Sequence, residues 1–232
     1  MDLIAQGLAE AVRRILALDP DVTEAAITSV QVSGSAVLLA LAVGLPAGVA
    51  LGLSRFTGRR VLLAVVNTGM GLPPVVVGLF VAVLVWRSGP LGSLDLFCSR
   101  QAMVGAQFLI AVPEVVGLTA IAVQALDPLL GLQLQALGAD RRQSFVLFVQ
   151  EARLPLLTAA MAGFGAVVSE IGASLLVGCN IKGDTRILTT AIVFEAGRGE
   201  FGSAFALGAI LLVLIFALTL VVTWVQQRPR PL

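Results

Sequence analysis

Five apolar stretches, at about 27–53, 61–86, 101–126, 154–178 and 202–225, decide what this chain can fold into. A helix that crosses a bilayer takes about 20 mostly apolar residues, and each stretch is that long. All exceed the ~10-residue strands of a membrane barrel, and none alternates polar with apolar residues. Only 12% of the 232 residues are charged, against roughly 25% in a soluble domain. The expectation is an all-α integral membrane protein of one domain over 1–232. It has five transmembrane helices, an N-terminal amphipathic helix and a short cytoplasmic helix. No internal repeat and no low-complexity tract is present.

The start, Met1-Asp2-Leu3, lacks the basic opening, short apolar run and cleavage site of a secretory signal. Residues 2–18 instead put Leu3, Ile4, Leu8, Ala11, Val12, Ile15 and Leu16 on one helical face. That pattern suits an interfacial segment over 1–26. Asp19-Pro20-Asp21 breaks it, and a new helix is expected after Thr23-Glu24.

Histidine is absent and there are two cysteines, so a histidine triad and the usual zinc spacings are excluded. No G-x-x-x-x-G-K-[ST] loop occurs, so the chain does not hydrolyse ATP through that loop. The reading is a chain that is not an enzyme, with no cofactor, no metal and no nucleic-acid partner. Cys98 and Cys179 fall on one side of the predicted topology, where a disulfide and two free packing cysteines both fit.

Five spans put the termini on opposite sides. Segments 54–60 and 127–153 and the tail carry 8 Lys/Arg, and the longer opposite segments carry 7. The denser side is taken as cytoplasmic, so the N-terminus is outside and the C-terminus inside. In 127–153, Gly138 can end a helix with positive φ and Asp140 can cap the next. Phe145, Phe148, Val149 and Ala152 then recur at helical spacing, opposite Arg141, Arg142, Gln143 and Gln150. A short amphipathic helix there either seeks a partner groove or lies on lipid.

This segment resembles the coupling loop of ABC-transporter permeases. The family pattern is Glu-Ala-Ala, three residues, Gly, nine residues, Ile, one residue, Leu-Pro. Ala136-Leu137-Gly138-Ala139-Asp140 and Leu154-Pro155 match it. Leu132-Gln133-Leu134 replaces Glu-Ala-Ala, and the spacing to Leu154-Pro155 is about four residues longer, close to one helical turn. Asn67–Leu79 resembles the broken second half of a permease span, and Ser88–Gly92 the turn after it. The run Asn-Ile-x-Gly-x-Thr-Arg-x-Leu-Thr-Thr-Ala-Ile, starting at Asn180, resembles the tungstate-type branch. Molybdate permeases share only its beginning. "QEAR" before Leu154 fits the same branch.

The resemblance covers roughly 30–225. It implies the permease subunit of an ATP-driven oxyanion importer, for tungstate first and for molybdate or another oxyanion as the alternative. It implies ABC ATPase subunits, an extracytoplasmic oxyanion-binding protein, a second copy of this chain and membrane lipid as partners. The resemblance assigns ATPase coupling to Gly138, Ala139, Asp140, Arg141, Arg142, Phe145, Leu154 and Pro155.

Other polar residues have two readings each. Ala159, Ala162, Ala166, Ser169 and Ala173 form a small-residue stripe on a single fourth span, for plain helix packing or for the subunit seam. Glu170 and Glu114 are the carboxylates well inside spans. A bare Glu170 would repel an oxyanion by about 4 kcal/mol at 4 Å and an effective dielectric near 20. It is therefore expected to be protonated or paired, holding a gate or a helix contact, and Glu114 to stabilise a kink at Pro113. Asn180, Lys182, Thr185, Arg186, Thr189 and Thr190 could donate to an anion at an outer mouth, or form a solvated outer loop within 179–201. The rival class is a self-contained secondary transporter, which would need coupling-ion sites or inverted repeats.

Overall fold

The computed structural model describes the backbone of residues 2–126 and 128–227; of these, the side chains of Asp2, Leu3, Gln6, Pro128, Arg141, Val225 and Gln226 lie outside the described set. Arg228 and Arg230, counted above for orientation, also lie outside it. The helices are α1 Asp2–Leu16, α2 Pro20–Leu53, α3 Arg59–Met70, α4 Pro74–Val85, α5 Arg100–Gln124, α6 Pro128–Ala136, α7 Arg141–Glu151, α8 Arg153–Val168, α9 Gly172–Gly178, α10 Leu188–Gly197 and α11 Phe201–Gln226. No strand occurs among the described residues.

Helices α2, α5 and α11 are each long and apolar enough to cross a bilayer alone. Five spans result if the bent pairs α3–α4 and α7–α8 count as one each. The second span is therefore not one rod: α3 and α4 meet at 98° across Gly71-Leu72-Pro73. Pro73 and Pro74 are the cause. A proline cannot continue a helix from the residues before it, but it starts one well.

Helix α2 begins at Pro20, earlier than the sequence suggested, because the Asp19 carboxylate accepts the Asp21 N–H at 3.0 Å and Pro20 occupies the first helical position. At 34 residues it is about 51 Å long, and α5 packs along it. Gly44, Gly48 and Gly52 line the contact, one turn apart. A Cβ at Gly48 would lie 2.8 Å from Val116 O. Close backbone approach is how apolar helices associate in lipid, where apolar side chains gain little by leaving it. Gly48→Val is accordingly expected to cost about 1–3 kcal/mol by overpacking, read as a lower thermal midpoint in detergent. Gly34→Ala, with open space around the added methyl, is expected to lower it not at all.

Helix α1 packs on α11 with its small residues, Ala11 being the buried member of the apolar stripe among the described side chains. Gly7 lies against Phe205, Ala11 is buried, and Arg14 donates to Ser203 Oγ at 3.2 Å. Ile4, Leu8, Val12 and Ile15 stay exposed, as a lipid-facing stripe requires. Hydrogen bonds from Arg13, then Arg14, hold the Glu10 carboxyl below its ordinary range.

Candidate functional site

The segment between α5 and α8 has the local structure its residues call for. Helix α6 ends at Ala136, and Gly138 sits at φ +76, a conformation glycine adopts without steric cost. Asp140 then accepts the Gln143 N–H at 2.7 Å while Gln143 Oε1 accepts the Asp140 N–H at 2.8 Å. This reciprocal cap satisfies two donors that a helix start leaves orphaned. Phe148 and Ala152 are buried in a cluster with Val49, Val123 and Leu156, with Phe145 and Val149 at its edge. That tethers α7 to α2, α5 and α8.

The opposite side of α7 is free: Arg142, Gln143, Val146, Leu147 and Gln150 are exposed. Leu137 is 82% exposed just before the turn. Sequence reasoning gave Leu137 no role of its own and passed over Val146 and Leu147, for which the signal was apolar residues on the polar side of the helical pattern. Helix α8 leaves α7 at 75°. Leu154 and Pro155 lie in its first turn, where a proline costs no hydrogen bond. The Arg141 side chain is outside the described residues.

The fourth apolar stretch is not one helix. Backbone helicity stops at Val168, and α9 restarts at Gly172. Glu170 occupies the gap, 4% exposed. Its Oε1 accepts the Ala173 N–H at 2.5 Å, and its Oε2 accepts the Ser174 N–H at 3.0 Å and the Ser174 hydroxyl at 2.9 Å. Gln107 of α5 donates to Ser174 Oγ at 3.1 Å. Thr189, in the first turn of α10, donates to the Glu170 carbonyl at 3.0 Å.

The carboxylate therefore caps α9 and ties α5 and α10 to the break. Ser174 and Gln107 were missed by sequence reasoning, although polar residues inside apolar runs were the signal. The small-residue stripe loses Ala173 to α9 at the same break, and before the break it is mixed: Ala159 is buried, whereas Ala162 and Ser169 are exposed. Ser169 donates to Gly165 O at 2.7 Å. Glu114 is half-buried on an α5 that runs unbroken through Pro113, so the proline is absorbed without ending the helix.

Helix α9 packs on α4. A Cβ at Gly78 would overlap the Ala173 backbone, and Gly172 lies against Val75. The Cys98 N–H donates to Val177 O at 3.0 Å, and a Cys98–Cys179 disulfide, Cα atoms 5.1 Å apart, joins the α4–α5 connection to the end of α9. Maleimide labelling of the denatured protein should show no free thiol before reduction and two after it. Labelling without reductant would contradict the bridge.

The predicted outer loop is a latch followed by a buried helix start. Thr185 accepts the Ile181 N–H at 2.9 Å and donates to Gly178 O. The Thr190 hydroxyl accepts the Ile187 N–H at 3.1 Å, and Ser29 of α2 accepts the Leu188 N–H at 2.9 Å. Arg186 donates to Asn180 Oδ1 at 3.2 Å and lies 4.7 Å over the Phe194 ring. Lys182 pairs with Asp21 at 2.7 Å, and Arg100 with Asp184 at 3.1 Å. The residues offered as anion donors are thus engaged within the fold, and residues 188–197 form a helix rather than solvated loop.

Comparison with known proteins adds a second line of findings. A family profile described as a binding-protein-dependent transport system inner membrane component matches residues 44–231. The tungstate uptake system permease protein TupB of Peptoclostridium acidaminophilum is 36% identical over 232 residues, covering 98% of this chain and 100% of that one. A probable anion ABC transporter permease protein of Haloferax volcanii is 42% identical over 192 residues, 81% of this chain and 83% of that one. Among solved structures, a chain of the MetNI methionine ABC transporter in inward-facing conformations superposes with a TM-score of 0.68 at 18% identity, over 90% of this chain and 94% of that chain.

Proposed function

We infer that this chain, which belongs to the family of binding-protein-dependent transport system inner membrane components, carries tungstate into the cytoplasm as the membrane-spanning permease of an ATP-driven importer. The observation that carries the substrate is the match along essentially the whole chain to a tungstate uptake permease. The Asn180–Ile192 run, which the molybdate permeases share only at its start, supports it. The chain is a multi-pass membrane protein. Its partners are a pair of ABC ATPase subunits, a second copy of itself and an extracytoplasmic binding protein that delivers the oxyanion.

The N-terminus is outside and the C-terminus cytoplasmic. The Cys98–Cys179 bridge favours this, because disulfides persist in oxidising compartments and this one lies at the end of the spans opposite α7. An ATPase grips the Gly138–Gln150 segment, through Ala139, Asp140, Arg141, Arg142 and the neighbouring Leu137 and Leu147. Phe145 and the Leu154-Pro155 start of α8 pass the movement on. Helix α8 acts as the lever, and the break around Ser169 and Glu170 lets α9 keep its place while α8 tilts, an alternating-access movement.

The Asn180, Thr185, Arg186, Thr189 and Thr190 latch fixes the outer end rather than gripping the anion. The Glu170 carboxyl is turned onto the start of α9, and its role is to hold the helix break rather than to touch the anion.

Deleting the gene and measuring cellular tungsten and molybdenum by mass spectrometry at low external oxyanion tests the substrate. Loss of tungsten alone, restored by the intact gene, is expected. Loss of molybdenum alone would overturn the assignment to tungstate and keep the importer.

A further inference from the structure

A groove of about 610 Å³ opens where α2, α5, α6 and α7 meet, at the end of the spans that carries α7. Its mouth is polar, with Ser54, Arg55, Arg59 and Gln135, and Val123 and Phe148 lie deeper. Among the described residues no acidic one lines it. Arg59 spends one nitrogen on Leu51 O at 3.0 Å, and among the described residues neither Arg55 nor Arg59 nor the adjacent Arg60 enters an ion pair.

Three cations within six residues at the end of a transmembrane helix, none in an ion pair among the described residues, repel one another. The first turn of α3 adds to this, since it holds Arg59 and Arg60 and no acid, the unfavourable sign for the positive end of a helix dipole. An anion is favoured at that corner. Its chemistry follows from the two halves of the groove: a phosphate-sized anion at the arginines, on an apolar body that fits against Val123 and Phe148. Basic pockets between transmembrane helices at the inner surface bind anionic headgroups in this way.

We propose that this groove holds an anionic phospholipid of the inner leaflet, its phosphate between Arg55, Arg59 and Arg60 and an acyl chain along the α2–α5 seam. The inner-leaflet position rests on the orientation proposed above. The lipid fills the space behind Phe148, the residue that tethers α7, so it stiffens the base from which α7 meets its ATPase.

The test is native mass spectrometry and thermal unfolding of the purified full chain in detergent with added phosphatidylglycerol. Phosphatidylcholine and inorganic phosphate serve as the comparison probes. Phosphatidylglycerol should be retained and raise the midpoint, and neither other probe should. Arg55→Gln and Arg60→Gln should each weaken retention about five-fold, Arg55→Lys should restore most of it, and Arg87→Gln, on the far connection, should change nothing. Equal retention of phosphatidylcholine would overturn the proposal, as would stabilisation by inorganic phosphate. Unchanged retention in both glutamine variants would overturn it too and leave the arginines a purely topological role. Binding in detergent does not depend on sidedness, so failure here leaves the importer reading intact, and a wrong orientation leaves the lipid result intact.

Discussion

Gly138→Val is expected to cut ATP-driven uptake at least tenfold while leaving the amount of protein in the membrane unchanged. The cause is the backbone. Gly138 holds φ +76 with nothing within 4 Å of where a Cβ would sit, so a side chain meets no clash with a neighbour. It meets its own chain. An L-residue in the left-handed region costs about 1–2 kcal/mol, and a β-branched one more. The chain relieves that strain by leaving the left-handed well, which turns α7 about the junction and carries Leu137, Arg142 and Leu147 away from their places. A tenfold loss corresponds to about 1.4 kcal/mol in the coupled state, within what the strain supplies. The same argument orders a series: Asn, which tolerates this region, should retain the most uptake, Ala less and Val least. Normal uptake by the valine variant would remove the coupling role from this turn.

Glu170→Ala is expected to be the most destabilising single change in the chain, about 2–5 kcal/mol, read as a lower thermal midpoint of the purified protein. Three donors converge on this carboxylate, from the Ala173 and Ser174 backbone and the Ser174 hydroxyl. Hydrogen bonds measured between membrane helices average about 0.6 kcal/mol each, so three account for roughly 2. The remainder, up to about 3 kcal/mol, comes from stranding two buried N–H groups, a penalty of about 1–3 kcal/mol apiece that local relaxation reduces. Glu170→Gln keeps one acceptor oxygen but presents an amide N–H₂ to the other donors, and should fall between. If the alanine variant melts with the wild type, the carboxylate is not the cap that holds α9, and a different account of the break at 169–171 is needed.

The parts of the fold that were legible in the sequence are those governed by solvent alone. Stretches 27–53, 101–126 and 202–225 become helices because lipid leaves the backbone few partners besides its own groups. The Gly138 turn and the Asp140 cap were legible as well, because both satisfy local backbone needs with residues suited to them. The break at 169–171 was not. It carries no proline, and the α-helix is given up there because the Glu170 side chain bonds the N–H groups of residues three and four further on. The 159–173 stripe assumed one continuous helix and failed for the same reason.

The 179–201 segment read as loop because Arg186 and Arg198 bracket only a short apolar run, while its burial is supplied by Ser29 on α2 and by the Glu170 carbonyl, both distant in sequence. The Cys98–Cys179 pairing spans 81 residues and depends on α4 packing against α9, which spacing alone does not reveal.

The most direct test of the central claim is tungstate accumulation in proteoliposomes that contain this chain with its cognate ATPase and binding protein. The account predicts accumulation that requires ATP and all three components, that a large excess of molybdate reduces only weakly, and that Gly138→Val abolishes. Accumulation by this chain alone, driven by an ion gradient and indifferent to ATP, would contradict it and make the protein a self-contained carrier.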